Sequence, residues 1–200
     1  MTNSTKILAA CGVAAGFAAV LAMPGVGGHA VDPATASTTI NANVNTAIAI
    51  TAQEAVTIPT LNVNDLQSIA VAGDSKDTAA FNVATNNTKG YTVDVKGSAE
   101  TGVATALTHT TDSTKSIPYQ ASALSAGTSG WNLTITAGPS VLTPKIADIV
   151  NKTSDTIVST TAASDVDGDN FAVTYGAATN ANQTAGAYQG QVTYTATIKE

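Results

Sequence analysis

Three aspartates alternate in Asp165-Val166-Asp167-Gly168-Asp169-Asn170, the spacing with which the first half of an EF-hand loop offers oxygen ligands to calcium. The second half departs from that pattern. Asn170 stands where the loop's turn glycine is expected, although asparagine tolerates the same left-handed backbone, and the twelfth position is Gly176 instead of a bidentate Glu. Phe171 to Tyr175 also alternates like a strand instead of continuing as a helix. Two readings follow: a weak calcium site of the extracellular kind, held by Asp165, Asp167 and Asp169, or a polar hairpin turn with solvated carboxylates. The turn is the simpler expectation.

Catalytic chemistry has little to work with. Beyond residue 30 the chain has one histidine, His109, in the run Leu107-Thr108-His109-Thr110-Thr111-Asp112. Serines and aspartates abound, but no G-x-S-x-G elbow presents a nucleophile, and one histidine does not make a catalytic zinc site. Paired glycosidase-type carboxylates leave no legible signature in sequence. The expectation is a protein that is not an enzyme, with His109 on an exposed loop or strand. The few aromatics then carry weight: Trp131, Tyr91, Tyr175, Tyr188 and Tyr194 each lie on or beside an alternating run. They either fill a core or stack on a sugar. Asn-x-Thr triplets at Asn86, Asn132, Asn151 and Asn182 match glycosylation acceptors formally, and an Asn/Thr-rich composition accounts for them.

The N-terminal thirty residues differ from the rest. Lys6 precedes an almost wholly apolar stretch from Ile7 to Val26, and Gly28-His29-Ala30 fits the small-x-small rule for signal peptidase, with cleavage before Val31. An uncleaved anchor is the rival, since the stretch is just long enough to span a bilayer; frequent Gly and Ala, and Pro24 ahead of the small residues, favour cleavage. Cys11 invites a lipidation reading, but the apolar run lies mostly after it instead of before it. Residues 1–30 are therefore expected to be a signal peptide, 31–37 a linker and 38–200 one domain, long enough to bury a core. That domain has no cysteine and the chain no arginine; its net charge is −6. Disulfide stapling and thiolate chemistry are excluded, and an acidic chain with scattered lysines offers no nucleic-acid footprint. The membrane is expected to matter only through the signal segment.

From Thr39 onward the period is two. Ile40, Ala42 and Val44 alternate with polar residues, as do Phe81–Thr85, Tyr91–Val95, Trp131–Ile135, Phe171–Tyr175 and Val192–Ile198. Turn signals separate them: Gly73-Asp74-Ser75, Asn86 to Gly90, Lys96-Gly97-Ser98, Gly127 to Gly130, Asp167 to Asn170 and Ala185-Gly186. Only Pro144 to Asn151 carries any helical hint. The spacing predicts an all-β fold, a single antiparallel β-sandwich of Ig-like or jelly-roll-like kind with roughly eight to ten strands. No late apolar segment with a basic end follows the last run, so covalent wall sorting is not expected.

Ser129-Gly130-Trp131-Asn132-Leu133-Thr134-Ile135-Thr136 resembles the first Trp-x-Leu motif of WxL-type domains of Gram-positive bacterial surfaces, and Gln183 to Thr197 is similar to their closing hairpin. Thr85 to Val93 resembles a segment that recurs in small secreted proteins of ultra-small bacteria. The second Trp-x-Leu is replaced by Tyr194-Thr195-Ala196. The resemblance implies a β-rich module attached non-covalently to peptidoglycan, with Trp131, Leu133 and Tyr194 as binding residues. The expected function is thus a secreted, cell-surface or cell-wall-associated binding or adhesion module, its partners wall glycan or other surface proteins. The alternative is a subunit of a surface fibre or pilus. In that reading Ser37 to Ile50, long and alternating, is donated to a neighbour's sheet edge, though pairing within its own sheet is the simpler expectation. Low charge on Thr-rich strands also leaves few guards against self-association, apart from Lys89, Lys96, Lys145 and Lys152 and the prolines Pro59, Pro118, Pro139 and Pro144.

Overall fold

The computed structural model describes residues 38–98, 106–149 and 154–200; the expected signal peptide and linker lie outside them. The chain divides at Ala42/Asn43, and of the first part only residues 38–42 are described, exposed and without regular structure. Within Asn43–Glu200 the described residues form twelve strands and no helix: β1 (Ile48–Ala52), β2 (Leu66–Val71), β3 (Phe81–Thr85), β4 (Tyr91–Ser98), β5 (Leu107–His109), β6 (Ser116–Ile117), β7 (Gly130–Ala137), β8 (Lys145–Ile146), β9 (Asp155–Ser159), β10 (Asp169–Ala178), β11 (Tyr188–Gln189) and β12 (Gln191–Ile198). The protein is all-β and sandwich-like, and every strand ladder is antiparallel.

The larger sheet runs β1-β3-β10-β7-β8, with β2 also on β10. β10 organises it by meeting β3 through Asp169–Phe171, β2 through Val173–Ala178 and β7 through Ala172–Ala178. A second sheet runs β12-β4-β9 and a small third one β11-β5-β6. Alternation explains the packing: Phe81 and Val83, Leu133 and Ile135, and Phe171 and Val173 face inward from the larger sheet. They meet Tyr91, Val93 and Val95 of β4 in one buried cluster. β-branched and aromatic residues suit such a pleated, half-buried surface. Phe81 and Phe171 are direct cross-strand partners with stacked rings 4.6 Å apart, and Tyr194 of β12 stacks on Phe81 from the second sheet at 4.7 Å. Among the described residues no buried side-chain nitrogen or oxygen lacks a hydrogen-bond partner.

The described residues form twelve strands where roughly eight to ten were expected, and three further departures from the sequence reading each have a physical cause. Lys96-Gly97-Ser98 is no turn: β4 runs through it, because Gln191, Val192 and Thr193 of β12 supply a full ladder opposite. β2 and β9 escape the period-two reading. Gln67 shares the half-buried row of β2 with Ile69 and Val71, and Asp155 heads β9 as a buried residue, paired to Lys145 at 3.0 Å. The third concerns the N-terminal alternation. Only Ile48–Ala52 joins a sheet, against β3, whereas the stretch 38–47 is exposed and forms no strand. β3 ends at Thr85, so no backbone is left to pair with the residues before Ile48. The Asn86 side chain occupies that place instead, accepting the Ala47 amide at 2.8 Å and donating to the Asn45 carbonyl at 2.9 Å.

Candidate functional site

An open, largely alanine-floored groove of about 620 Å³ lies on the outer side of β1 and β3. Ala49 and Ala84 are direct cross-strand partners with exposed side chains, and their small size keeps the floor low. The wall is the connection Ala163–Val166 between β9 and β10, with Val166 fully exposed at the rim. Ser164 fixes that wall by a short extension of the β3 edge: its amide donates to the Thr85 carbonyl at 3.2 Å, and its hydroxyl accepts the Thr85 amide at 2.9 Å. Thr85 in turn donates its hydroxyl to the Ala47 carbonyl at 2.7 Å, which holds β1 in place. The Ser164 hydroxyl is occupied, and Asp165 is the only carboxylate among the lining residues. Such a groove can bind by contact; it offers no nucleophile–base pair.

The aspartate loop beside the groove is a structural turn. Asp169 is buried, with the Tyr91 hydroxyl on one carboxylate oxygen at 2.5 Å and the Asp165 amide on the other at 3.2 Å. Asp165 and Asp167 face solvent, so the three carboxylates do not converge, and among the described residues no group of three or more metal-ligating side chains does. The left-handed position of the turn is Gly168, at φ 81°, while Asn170 already belongs to β10, where its side chain accepts from Asn82 and donates to the Asp74 carbonyl. Burial, with the Asp169 contact, pushes the Tyr91 phenol well above its ordinary range.

Trp131 and Leu133 are 3% and 0% exposed, on the inward face of β7. Trp131 meets Tyr119 edge-on at 4.9 Å, and the Tyr119 hydroxyl donates to the Ala147 carbonyl at 2.7 Å. Neither residue presents a face to a ligand. Tyr194 is half-buried: its ring lies on Phe81 and its hydroxyl shares a 2.7 Å hydrogen bond with that of Tyr175. The three residues carried over from the Trp-x-Leu likeness therefore act first as packing, because a large ring opening an alternating strand goes to whichever face has a second sheet over it. Of the glycosylation triplets, Asn132 is buried and donates to the Ser122 carbonyl, Asn86 is engaged with Asn45 and Ala47, Asn182 is exposed, and Asn151 lies outside the described residues.

His109 ends β5, half-buried, its ring edge-on to Tyr188 at 5.0 Å. Its Nδ1 accepts the amides of Thr111 and Asp112 at 3.3 and 3.2 Å, and its Nε2 lies 3.2 Å from the Ala185 carbonyl. Sequence reasoning passed over the Ala49–Ala84 floor and the Ser164 and Asn86 contacts; no local signal marks them, since each depends on which strand ends beside which. No family model, curated protein or solved structure matches the chain.

Proposed function

We propose that this chain is a non-catalytic, exported module of the bacterial cell envelope that binds wall glycan or another surface protein. One observation carries the reading: among the described residues, the phenols of β4, β10 and β12 and the imidazole of β5 are already engaged within the fold. Tyr91 is on Asp169, Tyr175 on Tyr194, and the His109 Nδ1 on two backbone amides. The described outer surface is a Thr-, Ser- and Asn-rich β-surface that includes an open groove, suited to contact. The likeness of Ser129–Thr136 to a Trp-x-Leu motif, the cysteine-free domain and the small-residue site at Gly28-His29-Ala30 support the envelope location. With Trp131 and Leu133 buried, the groove rim at Val166 is the first contact surface to test. Full-length protein is mixed with insoluble peptidoglycan sacculi beside an unrelated acidic control. Saturable co-sedimentation that Val166→Asp weakens supports the reading; sedimentation no greater than the control removes wall glycan as the partner.

A second reading, a fibre subunit built by strand donation, rests on a separate observation. Ile40 and Val44 are 89% and 84% exposed on an alternating stretch with no strand partner of its own. Donated segments have this character. Detergent-resistant ladders that grow with concentration support it, and a monodisperse monomer at every concentration sinks it.

A further inference from the structure

Backbone amides only donate, so the two that point at His109 Nδ1 require that nitrogen to be unprotonated. The neutral ring then carries its proton on Nε2 and donates it to the Ala185 carbonyl. One imidazole thus joins two pieces of chain far apart in sequence: the turn after β5, closed by the Lys115 amide on the Asp112 carbonyl, and the loop that leads into β11. Space is tight on the loop side. Gly186 sits at φ 147°, and a methyl group there would collide with Nε2. The loop is tied onward as well. Tyr188 donates to the Thr184 carbonyl and accepts from Gln183, whose side-chain oxygen takes the Ser129 hydroxyl at the head of β7.

We propose that His109 is a pH-sensitive latch: its neutral ring holds the 184–188 loop against the β5–β6 turn, and a second proton on the ring releases that loop. The proton goes to Nδ1 and breaks both amide bonds there. The Thr111 hydroxyl, 3.3 Å from Nδ1, can reverse and accept, but the two amides cannot. The stabilisation is therefore present when the ring is neutral and is lost as pH falls through the range in which imidazoles charge. Other ionisable groups face the ring from the turn and from β11. Hydrogen bonds from the Thr114 hydroxyl and amide hold the Asp112 carboxyl below the usual carboxylate range, so it is charged across the pH range over which the latch is tested. Its attraction for a charged ring opposes release, but its Oδ1 already accepts both Thr114 donors. Lys115 contributes the carbonyl that accepts the His109 amide, and Tyr188 meets the imidazole only through its ring edge.

The test is amide exchange of the full-length chain by NMR, normalised for intrinsic rates, with the Thr110 amide as reporter because it donates to the Ala187 carbonyl across the latch. Between about pH 7.5 and about pH 5, Thr110 is expected to lose about tenfold in protection, while the core Ala147 amide, bonded to Leu133, does not change. His109→Gln is expected to abolish that dependence. Gly186→Ala, which displaces the ring without removing it, is expected to leave Thr110 poorly protected at both values. Equal Thr110 protection at the two pH values in the native chain overturns the latch, as does an unchanged acid response in His109→Gln. Should His109→Gln fail to fold, the Gly186→Ala profile and the imidazole nitrogen shifts of the native chain decide, a proton on Nδ1 at the higher pH counting against it.

Discussion

The C-terminal half of β10 and the approach to β1 are written in similar residues, yet one lies inside the protein and the other in solvent. Val173 to Ala178 mixes Val, Thr, Tyr, Gly and Ala; residues 38–47 mix Thr, Ile, Asn, Ala and Val. Both alternate. β10 has strands on both edges and a second sheet over its inward row, so Val173 and Ala177 are buried. The approach to β1 meets the end of β3 and a side-chain clamp at Asn86, and Ile40 and Val44 stay wet. Alternation makes a segment competent for a sheet; a neighbouring backbone with free donors and acceptors decides whether it joins one.

The largest expected effect breaks the buried side of this comparison. Trp131→Ala removes a core ring and its edge-on contact with Tyr119, and should destabilise the domain by about 3–5 kcal/mol in denaturant titrations. Sacculus binding should fall only as far as folding does, since the ring has no exposed face.

Alkali should attack the same core. Burial pushes the Tyr119 phenol up to about 12 and raises Tyr91, Tyr175 and Tyr194 as well. A phenol kept neutral by the fold contributes stability that is complete below the ordinary tyrosine value of about 10 and is lost as pH rises beyond it. The guanidinium midpoint should therefore hold steady from neutral pH and drop steeply toward about 12. A flat midpoint across that range would show the phenols to be free to ionise.

Smaller changes test single contacts. Tyr91→Phe leaves one oxygen of buried Asp169 without its hydroxyl donor and should cost about 1–3 kcal/mol. Asn86→Ala frees the root of the exposed segment. About 1 kcal/mol of stability should go, and limited proteolysis near Asn45–Ala47 should accelerate while cleavage elsewhere does not. Val44→Asp sharpens the exposed side: stability should move by less than about 0.5 kcal/mol, but any concentration-dependent association through the segment should disappear from sedimentation profiles.

The candidate site was less legible than the fold. Phe81–Thr85 is β3 to the residue, and the runs at Tyr91, Trp131, Phe171 and Val192 each lie within one strand, because a core on one face imposes period two. β9 was missed because Asp155 is buried through an ion pair with Lys145, which hydropathy reads as surface. For the aspartate triplet, spacing alone does not say where carboxylates point; Asp169 turned inward because Tyr91 lies across the sheets with a hydroxyl to give.

The sequence by itself determined the all-β class, the absence of thiol chemistry in the domain and where the interiors of the longer strands lie, since these depend on local period, composition and turn residues. Tertiary structure alone decided which alternating segments are buried, that Trp131 and Leu133 face inward, and that Asn86, Ser164 and His109 bind chain far from them in sequence. Those outcomes turn on where partner strands end and which backbone groups are left to pair, a property of contacts between distant residues that no local pattern carries.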